Sequence, residues 1–416
     1  MSIAEHGIRL AVDTNALRRW DRYLGVPLCL LLTLRRRWSR EEPPSRDLPQ
    51  RMLLVKLAEQ GATVVAYTAI DHAISMVGRD NVFMMVFDEN RFIVDELGLI
   101  PEQNVITVST TGPLRMVVSA LQAVRAARRC QVDTAVDFEF FSRASAILVY
   151  LSGARRRIGH HSYSGEGSWR GDLMTHRLAY NPRLHAAETF VALVSAVVLR
   201  GDDLPVLDLE LPTPAAPPQR ALPSAAEVEG IERMLDALLG GRFSRRVVIL
   251  NPNAGDLVAQ RRWPMGRYIE LAGRLLDRSD DIVVVVTGAS AEAAQAVELV
   301  GAVDSARCVS VAGRTSMRDL LVLYSCAQLL ITNDSGPAQY AALADIDVVT
   351  LFGPESPHVF ASLSARSHVV WAELPCSPCV NAFNDRRSTC VDNRCMQRID
   401  VGEVYQVADR LLSSSD

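Results

Sequence analysis

A chain of 416 residues with an apolar fraction of 49% has the length and the apolar content for two folded domains. The net charge of −4 creates no overall field that would attract nucleic acid, so nucleic acid is not an expected partner. The first residues lack the basic, apolar and small-residue order of a secretory signal, and the apolar run at 24–34 is too short to cross a bilayer. We therefore expect a cytoplasmic protein.

Residues 1–50 form a basic amphipathic arm. Eight arginines stand against two aspartates between Arg9 and Arg40, and apolar residues recur among them at roughly helical spacing. Leucine and tryptophan beside a basic run suit an anionic membrane surface, where each basic residue contributes roughly 1 kcal/mol. The sequence predicts contact with such a surface through residues 1–40. The alternative is an arm that packs on the protein's own body.

Strand-like and helix-like segments alternate from residue 51 onward. Short apolar runs typical of strands are each followed by helical periodicity, through residues 51–200 and again through 226–416. Residues 201–225 are rich in proline and are predicted to link the two series. The repetition indicates an α/β protein with two doubly wound, Rossmann-like domains, which would face each other across a central cleft.

Every predicted strand of the second series ends in a polar loop. The loops begin at Asn251, Thr287, Ala312, Asn333 and Phe352. Because the carboxyl ends of parallel strands meet at one sheet edge, we expect these loops to surround one ligand. Backbone N–H groups and arginines, without the lysine of a Walker motif, favour a diphosphate. The fourth loop leads into a helix predicted over 338–345, whose amino-terminal dipole would support anion binding.

The polar loops also form a series of motifs in a familiar order. The motifs are residues 251–264, Thr287-Gly288, residues 312–315, Asn333-Asp334-Ser335-Gly336-Pro337 and Leu351-Phe352-Gly353-Pro354. Together with residues 54–61 and Asp137-Phe138-Glu139, they make residues 50–412 resemble glycosyltransferase family 9, the lipopolysaccharide heptosyltransferase family. The resemblance implies a GT-B fold, a nucleotide-sugar donor in the C-terminal domain and a glycolipid acceptor in the N-terminal domain. It also implies inversion at the sugar carbon without an essential metal.

The resemblance implies roles for residues of the donor site. Arg261 or Arg262 would pair with the donor diphosphate. Asp334 would contact the donor sugar, and Glu292 would bind the ribose hydroxyls. The other residues expected to border the donor are Asn253, Gly255, Gly288, Ser335, Gly336 and Pro337.

The general base is open. An inverting transfer needs a group that takes the proton of the acceptor hydroxyl. Where the family's first turn carries an aspartate, this chain has Ala62, which accepts no proton. The nearby candidates are Glu59, in the same turn, and Asp137 and Glu139, at the end of the fourth strand. Asp137 is the first choice, because a carboxylate at the carboxyl end of a strand is expected to face the cleft.

Two further clusters are candidate binding sites. Arg155, Arg156 and Arg157 predict a basic patch for a phosphorylated or acidic glycolipid acceptor, the alternative being a solvated loop. Within residues 376–395, four thiols have a spacing that could close a structural zinc site, the alternative being reduced thiols or a redox loop. These thiols belong to Cys376, Cys379, Cys390 and Cys395.

The sequence thus favours an inverting glycosyltransferase, peripheral on the inner face of the cytoplasmic membrane. It would add a sugar such as heptose to a lipopolysaccharide core or another cell-envelope glycan. One alternative is a sugar-nucleotide epimerase of the same fold, which would need no membrane contact. The other is a non-catalytic relative that binds nucleotide sugar, a reading motivated by Ala62.

Overall fold

The computed structural model describes residues 14–39, 48–218, 222–241, 246–255 and 258–414. The chain forms two compact units that divide between Pro214 and Ala215, inside the predicted linker. The segment 382–385 belongs with the first unit, although it lies far along the chain. Parts of the predicted arm (1–13 and 40–47) and of the predicted linker (219–221) lie outside the described residues.

The first unit is built on a parallel sheet. Its strands are β1 (Met52–Val55), β2 (Val82–Phe87), β3 (Val105–Val108), β4 (Thr134–Asp137), β5 (Arg156–His160) and β6 (His176–Leu178). Among the described residues these strands pair in the order β3-β2-β1-β4-β5-β6. The helices are α1 (Thr14–Tyr23), α2 (Gly25–Ser39), α3 (Gln60–Val65), α4 (Tyr67–Val77), α5 (Arg91–Leu97), α6 (Pro113–Arg129), α7 (Arg143–Leu151) and α8 (Ala186–Ser195).

Helices α2, α6 and α7 cover one face of this sheet. They share a single buried cluster with alternate strand residues such as Leu53 and Val55. Since both faces of a doubly wound sheet are covered, its strands read as continuous apolar runs, and every residue of β1 and β4 is buried. That property made the strands predictable from the sequence.

The described part of the arm packs on the first unit. Cys29 and Leu32 of α2 enter the core that α7 shares. Asp21 of α1 accepts hydrogen bonds from the backbone N–H groups of Arg143 and Ala144, each at 2.9 Å, and forms a 3.0 Å ion pair with the Arg143 side chain. A carboxylate at the amino terminus of α7 satisfies N–H groups that the helix cannot pair itself. None of the described helices is both long and apolar enough to span a membrane.

The second unit repeats the architecture. Its strands are β7 (Arg246–Asn251), β8 (Ile282–Val286), β9 (Cys308–Ser310), β10 (Leu329–Asn333), β11 (Asp347–Phe352) and β12 (Ser367–Trp371). They pair in parallel in the order β12-β11-β10-β7-β8-β9 within the described ranges. The helices are α9 (Ala225–Leu239), α10 (Met265–Arg278), α11 (Ala293–Val303), α12 (Met317–Ser325), α13 (Gly336–Tyr340), α14 (Pro357–Phe360), α15 (Arg394–Arg398) and α16 (Val401–Ser414).

Three elements of the second unit differ from the predictions. Helix α9 begins after a capping box between Ser224 and Glu227, at the end of the predicted linker. Strand β12 lies at the sheet edge, where its half-exposed side chains leave no continuous apolar run. The helix predicted over 338–345 is wrong in extent. Helix α13 has only five residues and passes into a short 3₁₀ turn, Ala341–Leu343, so it is too short to carry an anion site by itself.

In each unit the strand order reverses between the first and the fourth strand. This reversal lies between β1 and β4 in the first unit and between β7 and β10 in the second. Open α/β sheets bind ligands outside the carboxyl ends of the strands at such a switch point. The fold therefore points to the loops after β7 and β10, and to those after β1 and β4.

His160, at the end of β5, makes the first unit sensitive to acid. Burial, with Arg170 nearby, lowers the pKa of His160 from 6.5 to about 3. Below pH 6.5 the unfolded chain therefore binds a proton at this histidine that the folded chain does not bind. The folded state accordingly loses stability as the pH is lowered. We expect His160→Phe to abolish about 2 kcal/mol of the loss between pH 7 and pH 5, measured by urea unfolding at both values. Equal losses in the two proteins would contradict this.

Candidate functional site

The side chain of Asn333 joins the two loops at the switch point of the second unit. Asn333 ends β10, and its Nδ2 donates to the carbonyls of Pro252 at 2.9 Å and Asn253 at 3.3 Å, in the loop after β7. Its Oδ1 accepts from the backbone N–H of Trp263 at 3.1 Å and from the Tyr268 hydroxyl at 3.2 Å. One fully buried amide thus fixes the loops around the predicted ligand.

A cluster of alternating charges lies beside this amide. Arg261 Nη1 is 3.3 Å from Glu355 Oε2 and 3.7 Å from Asp334 Oδ2. Glu355, in the loop after β11, accepts two further hydrogen bonds, from Nε (2.8 Å) and Nη2 (3.0 Å) of Arg386. Such a two-pronged contact fixes the guanidinium plane as well as its charge. The cluster therefore holds two arginines in defined positions next to two acids.

Burial makes the charged forms of the two acids in this cluster unfavourable. Burial raises the pKa of Asp334, and it raises the pKa of Glu355 well above its usual range. Repulsion from the Asp334 carboxylate raises the pKa of Glu355 further, whereas Arg261 opposes both shifts. A hydrogen-bond donor from a ligand, such as a hydroxyl group, would therefore be favourable beside Asp334.

Unused hydrogen-bonding atoms mark the same place. Within the described ranges, Asn253 Nδ2 and Arg261 Nε are buried and donate to no protein atom, and Asp334 Oδ2 accepts no hydrogen bond. Unsatisfied buried polar atoms are costly, so each calls for an explanation such as a ligand. Gly288 contributes by its size, because a Cβ there would lie 3.0 Å from Asn253 Nδ2.

The other predicted donor residues surround this centre in different ways. Arg262 Nη2 donates to the carbonyl of Gly255 at 3.0 Å. Glu292 accepts from the backbone N–H of Ala289 at 2.7 Å, at the end of the loop after β8. Ser335 donates to the carbonyl of Asn333 at 3.1 Å. Gly336 and Pro337 begin α13.

Sequence reasoning missed Glu355 and Arg386. Glu355 follows the Phe352-Gly353-Pro354 motif, which drew attention to the loop but not to its acid. Arg386 lies in the cysteine-containing segment, where the thiols were the visible feature. The pairing of an acid with an arginine 31 positions away depends on tertiary contact, for which a single sequence carries no signal.

In the first unit, a lysine and two glutamates meet at the ends of β1 and β4. Lys56 Nζ is 3.0 Å from Glu139 Oε1 and 3.9 Å from Glu59 Oε2. Glu139 also accepts from the backbone N–H of Ala58 at 3.0 Å. Glu59 has a left-handed backbone (φ 66°), which is uncommon outside glycine and is found at functional sites. Its side chain is 32% exposed, against 15% for Glu139.

Asp137 is placed differently from the expectation. It was expected to face the cleft, but its side chain is completely buried. It forms a 2.6 Å ion pair with Arg170 and accepts from Ser145 Oγ at 3.0 Å. Burial raises its pKa to about 6, although Arg170 opposes the shift. The strand end points correctly toward the ligand edge, but Arg170, from a later loop, covers the carboxylate.

The predicted basic acceptor patch does not form. Strand β5 begins with Arg156 and Arg157, so these residues lie at the end of the sheet opposite the carboxyl ends of its strands. Both arginines are buried. Arg157 donates to the carbonyls of Leu173 and Ala154, each at 2.8 Å, while its guanidinium lies 5.1 Å from the centre of the Tyr150 ring. Only Arg155 of the three is exposed. The arginine run therefore supports the fold.

The four cysteines of the loop are free thiols. Cys379 Sγ lies 3.3 Å from Ser388 Oγ, Cys390 Sγ donates to the carbonyl of Asp392 at 3.0 Å, and Cys395 is buried. Nowhere in the described part of the chain are three Cys, His, Asp or Glu side chains arranged to hold a metal. The zinc site stays a prediction, which metal analysis of the purified protein would test.

Two doubly wound α/β units, each with a switch point in its strand order, correspond to the two Rossmann-like domains of the GT-B class of glycosyltransferases. Solved GT-B proteins share the fold. The ADP-heptose lipopolysaccharide heptosyltransferase II of E. coli superposes with a TM-score of 0.65 at 19% identity, covering 88% of this chain and 99% of that one. A family 9 glycosyltransferase from Veillonella parvula gives 0.66 at 16% identity, covering 88% and 97%.

Sequence comparison gives the family. The model of glycosyltransferase family 9 (heptosyltransferase) matches residues 121–388, more than half of the chain, so the chain belongs to that family. It is 26% identical over 231 residues to lipopolysaccharide heptosyltransferase 2 of Salmonella typhimurium and of E. coli, covering 54% of this chain. The match spans 61% of the length of each of these relatives.

Replacing Asn333 with alanine should loosen the second unit. The substitution leaves the Trp263 N–H and the carbonyls of Pro252 and Asn253 without their partner, so we expect a loss of about 2–4 kcal/mol in the free energy of unfolding. Asn251→Ala is the matched control. It removes the side-chain hydrogen bond to Thr287 and should cost about 1 kcal/mol. Urea unfolding measures both, and equal losses would show that Asn333 has no special role.

Proposed function

We propose that this protein is an inverting glycosyltransferase. It moves a sugar from a nucleotide-diphosphate donor to a lipopolysaccharide core or another cell-envelope glycan. The observation that carries the proposal is the set of unused, buried hydrogen-bonding atoms on Asn253, Arg261 and Asp334 at the switch point of the second unit. Family membership supports sugar transfer, and the named relatives favour heptose as the sugar and ADP as the nucleotide.

The donor diphosphate binds beside Arg261. This arginine is buried and is held by Glu355 at 3.3 Å, whereas Arg262 is only partly buried and donates to the carbonyl of Gly255. Arg386 adds a second guanidinium, which Glu355 holds in a fixed plane. Asp334 Oδ2, which accepts no hydrogen bond from the described residues, would accept one from a hydroxyl of the donor sugar. Fixed positive charge stabilises the leaving nucleoside diphosphate as negative charge develops on it.

Glu59 is the general base of the proposed reaction. The acceptor hydroxyl attacks the anomeric carbon and gives its proton to the Glu59 carboxylate, while the bond from that carbon to the diphosphate oxygen breaks. The electron pair leaves with the nucleoside diphosphate. Of the three candidate acids, Glu59 is the most exposed, Glu139 is held by Lys56 and a backbone N–H, and Asp137 is enclosed with Arg170. Exposure matters because a base must reach the acceptor.

The enzyme works at an anionic membrane surface. One face of α2 packs on the first unit, and the other presents Leu28, Leu31 and Trp38, the last with 91% of its surface exposed. Arg35 and Arg37 are exposed beside them. Apolar side chains with flanking arginines suit the interface of an anionic bilayer. This arrangement supports the proposal that the protein is peripheral on the cytoplasmic face of the inner membrane, where it would reach a glycolipid acceptor.

A non-catalytic relative that binds nucleotide sugar is the second candidate. It is favoured by Ala62, which stands where the family carries its acid. Purified protein that binds a nucleotide sugar, but transfers no sugar from any donor in a panel, would establish this alternative. Transfer from at least one donor would exclude it.

Changing Arg261 to lysine should weaken nucleotide binding. Lysine keeps the charge but loses the fork of N–H donors that matches a diphosphate, so we expect the affinity for ADP to fall about tenfold, equivalent to roughly 1.4 kcal/mol. Isothermal titration calorimetry measures the change. Arg262→Lys is the neighbouring control and should alter the affinity by less than about twofold. A larger effect at Arg262 would reverse the assignment.

Glu59→Gln should abolish proton transfer without unfolding the protein. We expect kcat to fall about 100-fold or more, with the KM for ADP-heptose little changed. Transfer to a core-oligosaccharide acceptor, followed by ADP release, supplies the measurement, and exposed Glu102→Gln serves as the surface control. A fully active Glu59→Gln protein would exclude Glu59 as the base.

Asp137→Asn should instead cost about 3–5 kcal/mol of stability, because it leaves Arg170 buried and unpaired.

A further inference from the structure

Helix α6 carries an exposed apolar stripe that the sequence reading did not single out. Leu114, Val117, Val118 and Leu121 are 46–77% exposed and recur at the three- and four-residue spacing of one helical face. The buried residues Ala123, Val124 and Ala127 lie in the second half of the helix. The stripe is therefore the outward part of a helix whose inner side is already packed on the sheet.

The stripe lies in the same helical layer as the exposed face of α2. Helices α2, α6 and α7 bury their inner sides in one core cluster. Helix α7 contacts α2 and also α6, and of its nine residues only Ala144 is exposed. The two outward apolar faces thus flank a recessed α7 on one side of the first unit's sheet.

The charge on these helices identifies the partner. Neither α2 nor α6 contains an aspartate or a glutamate. Arg35 and Arg37 are exposed on α2, and α6 exposes Arg115, Arg125 and Arg129. The charged side chains that these two helices carry are therefore all positive, in a protein whose net charge is −4. That combination complements an anionic lipid surface, in which apolar groups enter the interface and arginines meet the headgroups.

We propose that α6 and α2 together form a two-helix docking surface for an anionic phospholipid bilayer. The proposal rests on the proposed function, which places the enzyme at a membrane, and it adds a second, independent contact. Two contacts from one rigid layer fix the orientation of the first unit on the bilayer, whereas α2 alone would allow it to rotate about the helix. The ligand-binding sheet edge of that unit then keeps a constant height above the lipid.

Vesicle co-sedimentation of the full-length protein tests the proposal, with no donor or acceptor present. The probe is vesicles of phosphatidylcholine and phosphatidylglycerol in a 3:1 ratio, against pure phosphatidylcholine. We expect Leu114→Gln/Val118→Gln to lower the partition coefficient about tenfold or more, because two apolar side chains no longer enter the interface. Arg125→Gln/Arg129→Gln should lower it about fivefold per charge on the anionic vesicles only. Val297→Gln, at an exposed apolar position of α11, is the matched control and should bind like the wild type.

Two results would overturn the proposal. One is wild-type vesicle binding by Leu114→Gln/Val118→Gln with an unchanged circular dichroism spectrum. The other is a wild-type dimer that this variant converts to a monomer in sedimentation equilibrium, with no vesicle binding by either. Sugar transfer is measured separately on a lipid-free acceptor. If Leu114→Gln/Val118→Gln loses vesicle binding while the wild type transfers no sugar, the docking surface is supported and the proposed enzyme activity is rejected. If the wild type transfers sugar and this variant binds vesicles like the wild type, only the docking surface is rejected.

Discussion

The candidate donor site depends on one buried side-chain amide. The Asn333 side chain joins the end of β10 to the loop after β7, using its Nδ2 donors and its Oδ1 acceptor, and it does so where the strand order reverses. It thereby anchors the loop that carries Asn253 to the strand end next to Asp334. A satisfied amide holds a single geometry, because any shift leaves buried polar atoms unpaired. The residues predicted to bind the donor can then keep unpaired hydrogen-bonding atoms, because the loops that carry them are already held in place.

The sequence was informative where local physics decides the structure. Strands buried on both faces read as apolar runs, so β7 and β11 end at Asn251 and Phe352, the residues where the predicted ligand loops begin. Helix α9 and strand β12 were missed because a capping box lay inside a proline-rich stretch and an edge strand lacks a continuous apolar run. The predicted family and GT-B fold are confirmed.

Individual site roles were harder, since they depend on which groups meet in space. Arg156 and Arg157 read as a surface patch, yet their position at the start of a central strand buries them. Asp137 is at the expected strand end, but Arg170 arrives from elsewhere to enclose it. Glu355 is part of the site because Arg261 and Arg386 both contact it in the folded chain. A residue's type and strand position are local facts, whereas its partner is set by the whole fold.

The contact of Asp21 with the start of α7 changes where the first domain begins. The sequence suggests a boundary near residue 51, with the preceding segment as an appendage. Yet Asp21 satisfies the amino terminus of α7, and Cys29 fills the core beneath that helix. A fragment starting at residue 51 would expose apolar core surface and would leave the backbone N–H groups of Arg143 and Ala144 without the Asp21 carboxylate. The arm is therefore an integral part of the domain, and a stable recombinant fragment has to include α1.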